Sequence, residues 1–120
     1  MKTLVLLLVL GACDAAEKPA EYLNGVDTER YLTLYDKVAD IVAVDQKDCA
    51  KMAKEIDALL AGNMQIIETA NAAAKNGKQL PRMAVTHVEQ RATELVANIA
   101  TCSPDKAVQK AFKKLEPKEE

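Results

Sequence analysis

The chain has 120 residues, of which 49% are hydrophobic and 28% charged, and its formal net charge is −2 at neutral pH. This length suits one small domain. The core is expected to be thin, because the chain has one phenylalanine, three tyrosines and no tryptophan. Acidic and basic residues are interspersed, which excludes the clustered basic face typical of nucleic-acid-binding proteins.

The N-terminal residues have the order of a secretory signal peptide. Lys2 precedes the apolar run 4–10, which is much too short to span a bilayer, and small residues follow it. The segment Leu10-Gly11-Ala12-Cys13 resembles the lipobox of bacterial lipoproteins. The resemblance implies cleavage directly before Cys13, diacylglyceryl attachment to the Cys13 sulfur, and acylation of the new N terminus. An ordinary signal peptide with a free Cys13, or a buried N-terminal strand, is the alternative.

The cysteine count is consistent with lipidation of Cys13. Three cysteines are an odd number, which leaves a stray thiol in an exported protein. If Cys13 carries lipid, Cys49 and Cys102 remain as an even pair. Acyl chains that contribute about 0.8 kcal/mol per buried methylene would hold the protein on a membrane. Asp14 resembles the inner-membrane retention signal of enteric bacteria, but the rule is not general, so the leaflet stays open.

Four regions are predicted along the chain: a signal peptide (1–12), a tether (13–26), a helical bundle (27–116) and a charged tail (117–120). The tether contains Pro19 and the turn-forming pair Asn24-Gly25. Twelve flexible residues average about 19 Å end to end, so the domain is expected to stay near the lipid headgroups. The body of the chain is similar to small periplasmic helical-bundle lipoproteins.

Hydrophobic periodicity predicts an all-α fold, a small three- to four-helix antiparallel bundle. Helix A is expected over 28–43, with Asp27 as N-cap and Val26 packing on Tyr31 as a hydrophobic staple. Helix B is expected over 46–75, with a possible bend at Gly62-Asn63. Asp45 and Asp48 favour a break between helices A and B. The apolar stripes of the two helices keep the same seven-residue periodicity across this point, so a single continuous helix is the alternative.

Two further helices complete the predicted bundle. Helix C is expected over 81–101, with Pro81 as its first residue. Helix D is expected to open with Ser103, Pro104 and Asp105 as N-cap, N1 and N2, and to end before Pro117. The predicted inward-facing residues of the two helices are Ala84, Val88, Ala92, Leu95, Val96, Ile99, Cys102, Val108, Ala111, Phe112 and Leu115.

Cys49 and Cys102 are predicted to form a disulfide between helices B and C. Helix B covers about 42 Å from Cys49 to Gly77, and helix C covers about 32 Å from Pro81 to Cys102. If B and C form an antiparallel hairpin, the two cysteines meet at one pole, each on an apolar stripe. Closing a loop of about 54 residues is worth roughly 4 kcal/mol in the chain-entropy model. Two buried free thiols are the alternative.

The same arrangement places the tether at the opposite pole, beside Lys75, Lys78 and Arg82. Basic residues near anionic lipid add about 1 kcal/mol each to membrane binding, so this pole is expected to face the membrane. Solvated loop charges are an equally acceptable interpretation.

Few residues suggest chemistry. His87, the only histidine, is expected to be a structural or surface residue. The alternative pairs it with Met52 or Met64 as haem ligands, because the domain resembles haem-binding cytochrome bundles in size and helical content. Those bundles place their ligands on the first and last helices, which here carry neither residue type. Without Cys-x-x-Cys-His, covalent haem is not expected. Asn63, within the apolar stripe of helix B, could hold a polar ligand, but a structural role in helix register is favoured.

The sequence therefore predicts a membrane-anchored bacterial lipoprotein that is not an enzyme and needs no cofactor or metal. Its expected role is non-catalytic, either binding an envelope protein or serving the structure of the envelope. The alternative is a bundle that binds haem or a small hydrophobic ligand. The expected partners are a lipid bilayer, reached through acylated Cys13, and an envelope protein of unknown identity, but not a nucleic acid.

Overall fold

The computed structural model describes residues 21–117, and this part of the chain is an all-α bundle. Its helices are α1 (Gly25–Val44), α2 (Cys49–Ala61), α3 (Met64–Lys75), α4 (Arg82–Ile99) and α5 (Lys106–Phe112), followed by a 3₁₀ turn (Lys113–Leu115). The predicted fold class is confirmed. The signal peptide, Cys13, most of the tether and residues 118–120 lie outside the described part.

The two largest helix contacts join helices that are not consecutive in the chain and that run in the same direction. α4 packs mainly on α1, and α5 packs mainly on α2. Tyr22 pairs with Gln79 in a parallel bridge just before α1 and α4 begin. The predicted packing of helix C against helix B is therefore wrong. Helical periodicity identifies the buried face of a helix but not the helix that covers it.

The bundle has two ends that organise the rest of its features. The N-terminal pole consists of residues 21–27, where α1 begins, and residues 75–83, where α3 ends and α4 begins. The disulfide pole consists of residues 44–49, between α1 and α2, and residues 99–106, between α4 and α5. The principal extents of the molecule are 45 × 30 × 23 Å.

The core follows the predicted apolar stripes closely. Its fully buried side chains come from α1, α2, α4 and the last part of the chain: Val42, Met52, Ile56, Leu60, Val88, Cys102 and Val108. Val96 is the exception, since its side chain is 59% exposed. Because α4 packs mainly on α1, the buried arc of α4 is narrower than its apolar stripe.

The start of α1 differs from the prediction. Asn24 is the N-cap, and its side chain accepts a hydrogen bond of 2.8 Å from the backbone N–H of Asp27. Asp27 instead accepts a hydrogen bond from the Asn24 side-chain amide, and Val26 is 60% exposed, so the predicted staple does not form. Leu23 is buried, so the last residues of the predicted tether belong to the bundle.

The predicted break near Asp45 is confirmed, and a second break divides helix B. α1 ends at Val44, and the Asp48 side chain caps α2 by accepting a hydrogen bond from the backbone N–H of Lys51. A single helix over 46–75 is wrong, because Gly62 and Asn63 form a turn between α2 and α3. The Asn63 side-chain amide donates to the carbonyl oxygen of Leu59 at 2.7 Å, which closes α2 and accounts for the turn.

The last helix also starts later than predicted. Asp105, not Ser103, is the N-cap of α5, since its side chain accepts from the backbone N–H of Val108 at 3.0 Å. The Ser103 hydroxyl instead donates to the carbonyl oxygen of Ala100. Helix C likewise runs over Arg82–Ile99 with Pro81 as its N-cap. The chain turns at residues 100–104, where the backbone N–H groups of Cys102 and Ser103 donate to the carbonyl oxygen of Ile99.

Candidate functional site

The disulfide joins the start of α2 to the turn between α4 and α5. Cys49 and Cys102 are bonded, and their Cα atoms are 5.3 Å apart. Cys102 is fully buried and Cys49 is partly buried. The predicted pairing and its position at the pole opposite the tether are confirmed. This cross-link fixes the corners at which α1 turns into α2 and α4 turns into α5.

An acidic pair lies beside this pole. Asp45 is 3% exposed, and its Oδ1 is 3.7 Å from the Lys51 ammonium. Hydrogen bonding to Asp45 raises the pKa of Glu55 above its usual range, and desolvation and the negative charge of Asp45 act in the same direction. A protonated Glu55 can donate to Asp45, whereas two ionised carboxylates repel each other.

Arg91 links α4 to α1 through several polar contacts. Its guanidinium donates to the carboxylate of Asp40 at 2.5 Å and to the backbone carbonyl of Asp36 at 3.2 Å, and it also pairs with Glu94. Hydrogen bonding to Asp40 raises the pKa of Arg91. The Arg91 side chain is only 23% exposed. This cluster is a structural clamp between two helices, and nothing in it resembles a nucleophile with its base.

His87 belongs to the same clamp. Its Nε2 lies 2.8 Å from the Asp36 carboxylate, one helical turn before Arg91. This cluster was not predicted, although the sequence carries a signal for it. Asp36 and Asp40 are spaced i, i+4 on α1, and His87 and Arg91 have the same spacing on α4, so each pair lies on one helix face.

The other weak ligand candidates are dispersed. Met52 is fully buried in α2, whereas Met64 is partly buried at the start of α3. α2 and α4, which carry Met52 and His87, are not among the helix pairs with extensive contact. The structure therefore brings His87 to Asp36 and does not present it together with Met52 as a pair of axial ligands. The Asn63 side-chain amide donates to the carbonyl oxygen of Leu59, which agrees with the structural role predicted for Asn63.

Two tyrosines fill the α1 side of the core. Tyr31 and Tyr35 are buried, with ring centroids 6.2 Å apart. Burial raises the pKa of Tyr35 to about 12 and raises that of Tyr31 further. The hydroxyl of Tyr31 is buried without a hydrogen-bond partner. Both side chains stay neutral at physiological pH, and they act as packing groups.

An open groove of about 380 Å³ lies between α1 and α3. Apolar Val26 and Ile66 line it together with the charged side chains Glu29, Arg30 and Lys37, and Asn63 lies at its edge. A smaller depression of about 130 Å³ continues from it past Arg30 and Ile66. The mixed lining and open shape suit contact with a polar macromolecular surface better than enclosure of a small apolar molecule.

Residues 21–117 contain neither a membrane-spanning helix nor a candidate metal-binding cluster. No helix in this range is both long and apolar enough to cross a bilayer. No group of three or more histidine, cysteine, aspartate or glutamate side chains in the same range has the geometry of a metal site.

The fold and its polar clusters define a disulfide-linked helical bundle without an assembled catalytic constellation in the described part of the chain. Comparison with protein-family models, with curated proteins and with solved structures finds no match to this chain. Its function must therefore be argued from its own residues.

Proposed function

We propose that the protein is a bacterial envelope lipoprotein, anchored through acylated Cys13, in which the helical bundle is a non-catalytic interaction or structural module. The observation that carries the proposal is the lipobox at positions 10–13, placed eight residues before the start of the described bundle. A diacylglyceryl thioether with an added amide-linked chain supplies the two or more acyl chains needed for stable anchoring.

The disulfide supports the exported location independently of the lipobox. Structural disulfides persist in oxidising compartments such as the bacterial periplasm, and they are rare in a reducing cytosol. Cys49 and Cys102 are paired in the structure, which leaves Cys13 as the cysteine available for lipid. The lipobox and the disulfide involve different residues, and both favour a location outside the cytosol.

A non-catalytic role is favoured because three candidate polar side chains already make structural hydrogen bonds. His87 and Arg91 are engaged with α1, and Asn63 is engaged with a backbone carbonyl of α2. The groove between α1 and α3 retains exposed Arg30 and Lys37 beside Val26. A surface of this kind fits a partner protein in the envelope.

Membrane fractionation with a Cys13→Ala control tests the anchor. We expect the wild-type protein to sediment with membranes, to resist extraction by high salt, and to incorporate labelled palmitate. The Cys13→Ala variant should incorporate no label and should leave the membrane fraction. Equal membrane association and equal labelling of the two proteins would contradict the proposal.

Cross-linking in native membranes tests the interaction role. We expect a specific cross-linked partner for the lipidated protein, and we expect the yield to fall when Arg30 and Lys37 are both changed to glutamate. The matched control reverses the exposed pair Lys106 and Lys110 on α5, away from the groove. A cross-linking pattern that neither pair changes would contradict the assignment of the groove as the binding surface.

A further inference from the structure

The N-terminal pole carries an unusual share of the exposed apolar side chains. Five large hydrophobic residues in the described part of the chain are more than half exposed. Three of them belong to this pole: Tyr22 is 54% exposed, Val26 is 60% exposed and Met83 is 86% exposed. Tyr22 precedes α1, while Val26 and Met83 occupy the first turns of α1 and α4.

Backbone hydrogen bonds hold these elements together at one end of the bundle. The backbone N–H of Leu23 donates to the carbonyl oxygen of Gln79, and that of Gln79 donates to the carbonyl oxygen of Glu21, both at 2.8 Å. The chain before α1 is therefore fixed beside the loop before α4. The pole is therefore a structured surface, and its exposed side chains keep a defined position relative to the residues before α1.

The charges at the same pole favour an anionic partner. Lys78 and Arg82 are exposed in the loop before α4 and in its first turn, and Lys75 lies in the last turn of α3. The acidic residues of the pole are Glu21 and Asp27, and the Asp27 carboxylate accepts a hydrogen bond from Asn24. The three basic side chains of the pole thus outnumber its two acidic ones.

The length of chain before the bundle limits what this pole can reach. Cys13 and Glu21 are eight residues apart, which is at most about 28 Å when the backbone is fully extended. Under the proposed function, with Cys13 acylated, the pole cannot move beyond that distance from the lipid. Tyrosine is a side chain that prefers the boundary between lipid and water, because its ring is apolar and its hydroxyl is polar.

We infer that the N-terminal pole, through Tyr22, Val26 and Met83 with Lys78 and Arg82, rests directly on an anionic phospholipid surface. The bundle then stands on the bilayer with its disulfide pole directed away from the lipid. This inference rests on the proposed function, since the acyl anchor is what places the pole at the membrane.

Tryptophan fluorescence can test the contact, because the chain has no tryptophan of its own. Met83→Trp places a probe on the pole, and Val44→Trp places a matched control at the disulfide pole, where the native side chain is 78% exposed. Val44 lies about 27 Å along α1 from Val26. Both full-length variants are prepared in lipidated form and reconstituted into vesicles of phosphatidylcholine and phosphatidylglycerol with brominated acyl chains.

We expect brominated lipid to quench the probe at position 83 strongly and the probe at position 44 little or not at all. In vesicles of phosphatidylcholine alone, or after Lys78 and Arg82 are both changed to glutamate, quenching at position 83 should fall. Quenching that is equal at the two positions, stronger at position 44 or absent at both would overturn the inference. If quenching at position 83 does not depend on lipid charge, the inferred contact of Lys78 and Arg82 with anionic lipid is overturned.

Intact mass and vesicle flotation on the same samples separate the two possible failures. If Cys13 carries no acyl adduct, the proposed function fails, and the inference fails with it. If the adduct is present and the vesicles carry the protein, but the probe at position 83 is not quenched, the anchor stands and the inference alone is overturned.

Discussion

Arg91 shows how one partly buried side chain can join two helices whose contact the sequence did not predict. Its guanidinium meets Asp36 and Asp40 on α1, and Glu94 one turn further along α4. Hydrogen bonds to charged groups contribute more to stability than exposed ion pairs, because less of their electrostatic interaction is screened by water.

We expect Arg91→Ala to lower the free energy of unfolding by about 1–3 kcal/mol, since it removes these bonds and leaves Asp36 and Asp40 facing each other. Urea denaturation followed by circular dichroism measures the loss. Arg82→Ala, at an exposed position of the same helix, is the control and should change stability little. A loss no larger than that of the control would contradict the role of Arg91.

Glu55 gives a pH-dependent prediction. Its folded-state pKa is raised, so the stability that a protonated Glu55 contributes is present below its ordinary pKa of 4.5 and is lost as the pH rises through the raised value. We therefore expect Glu55→Gln to be more stable than the wild type at pH 7 and the advantage to vanish near pH 4. Denaturation midpoints across this range measure the effect.

The matched control for this experiment is Glu89→Gln on the exposed face of α4. It should show no comparable gain at neutral pH. If Glu55→Gln is less stable than the wild type at pH 7, or if its advantage grows on acidification, the coupling between Glu55 and Asp45 is wrong.

At the scale of the helices, the stripes were predictable and the boundaries were less so. The apolar residues of helix A recur every three or four positions, and each is buried or partly buried in the structure: Tyr31, Leu34, Tyr35, Val38, Ile41 and Val42. The cap of α1 was misplaced because Asn24 and Asp27 are both good capping residues, and the choice depends on Leu23 being drawn into the core. Local preference could not include that tertiary contact.

The two glycine turns next to α2 and α3 make a paired prediction. Gly62 has right-handed backbone angles, and a Cβ there would meet the carbonyl oxygen of Ala58 at an ordinary 3.5 Å. Gly77 has φ +78°, which disfavours any residue with a side chain, although the space around it is open.

We expect Gly62→Ala to stabilise the fold by about 0.4–1 kcal/mol, because it restricts the unfolded chain without straining the folded one. Gly77→Ala should destabilise the fold by about 1–2 kcal/mol, because alanine disfavours the left-handed region. Thermal and chemical denaturation measure both. Shifts of the same sign in the two variants would contradict the assigned backbone conformations.

For the whole molecule, the sequence predicted the cross-link better than the packing around it. Helix lengths were enough to bring Cys49 and Cys102 to one pole, because the lengths fix how far each helix travels. They did not reveal that α4 packs on α1, which depends on the bridge between Tyr22 and Gln79 and on the ion pairs of Arg91. The groove between α1 and α3 was not predicted either, because it also depends on which helices pack together.

The disulfide is expected to contribute a large part of the stability of this small bundle. The bonded cysteines are 53 positions apart. Changing both to alanine should lower the free energy of unfolding by about 4 kcal/mol, because the unfolded chain regains the entropy of an open loop. Reducing agent should destabilise the wild type similarly and leave the double variant unchanged. A loss below about 1 kcal/mol would contradict this view.

The most direct test of the proposed lipoprotein is the intact mass of the protein extracted from native membranes and treated with an alkylating reagent under denaturing, non-reducing conditions. The account predicts a chain that begins at Cys13, carries the mass of its acyl groups, and takes up no alkyl group at Cys49 or Cys102. A chain without an acyl adduct, or one whose remaining cysteines both react, would contradict it.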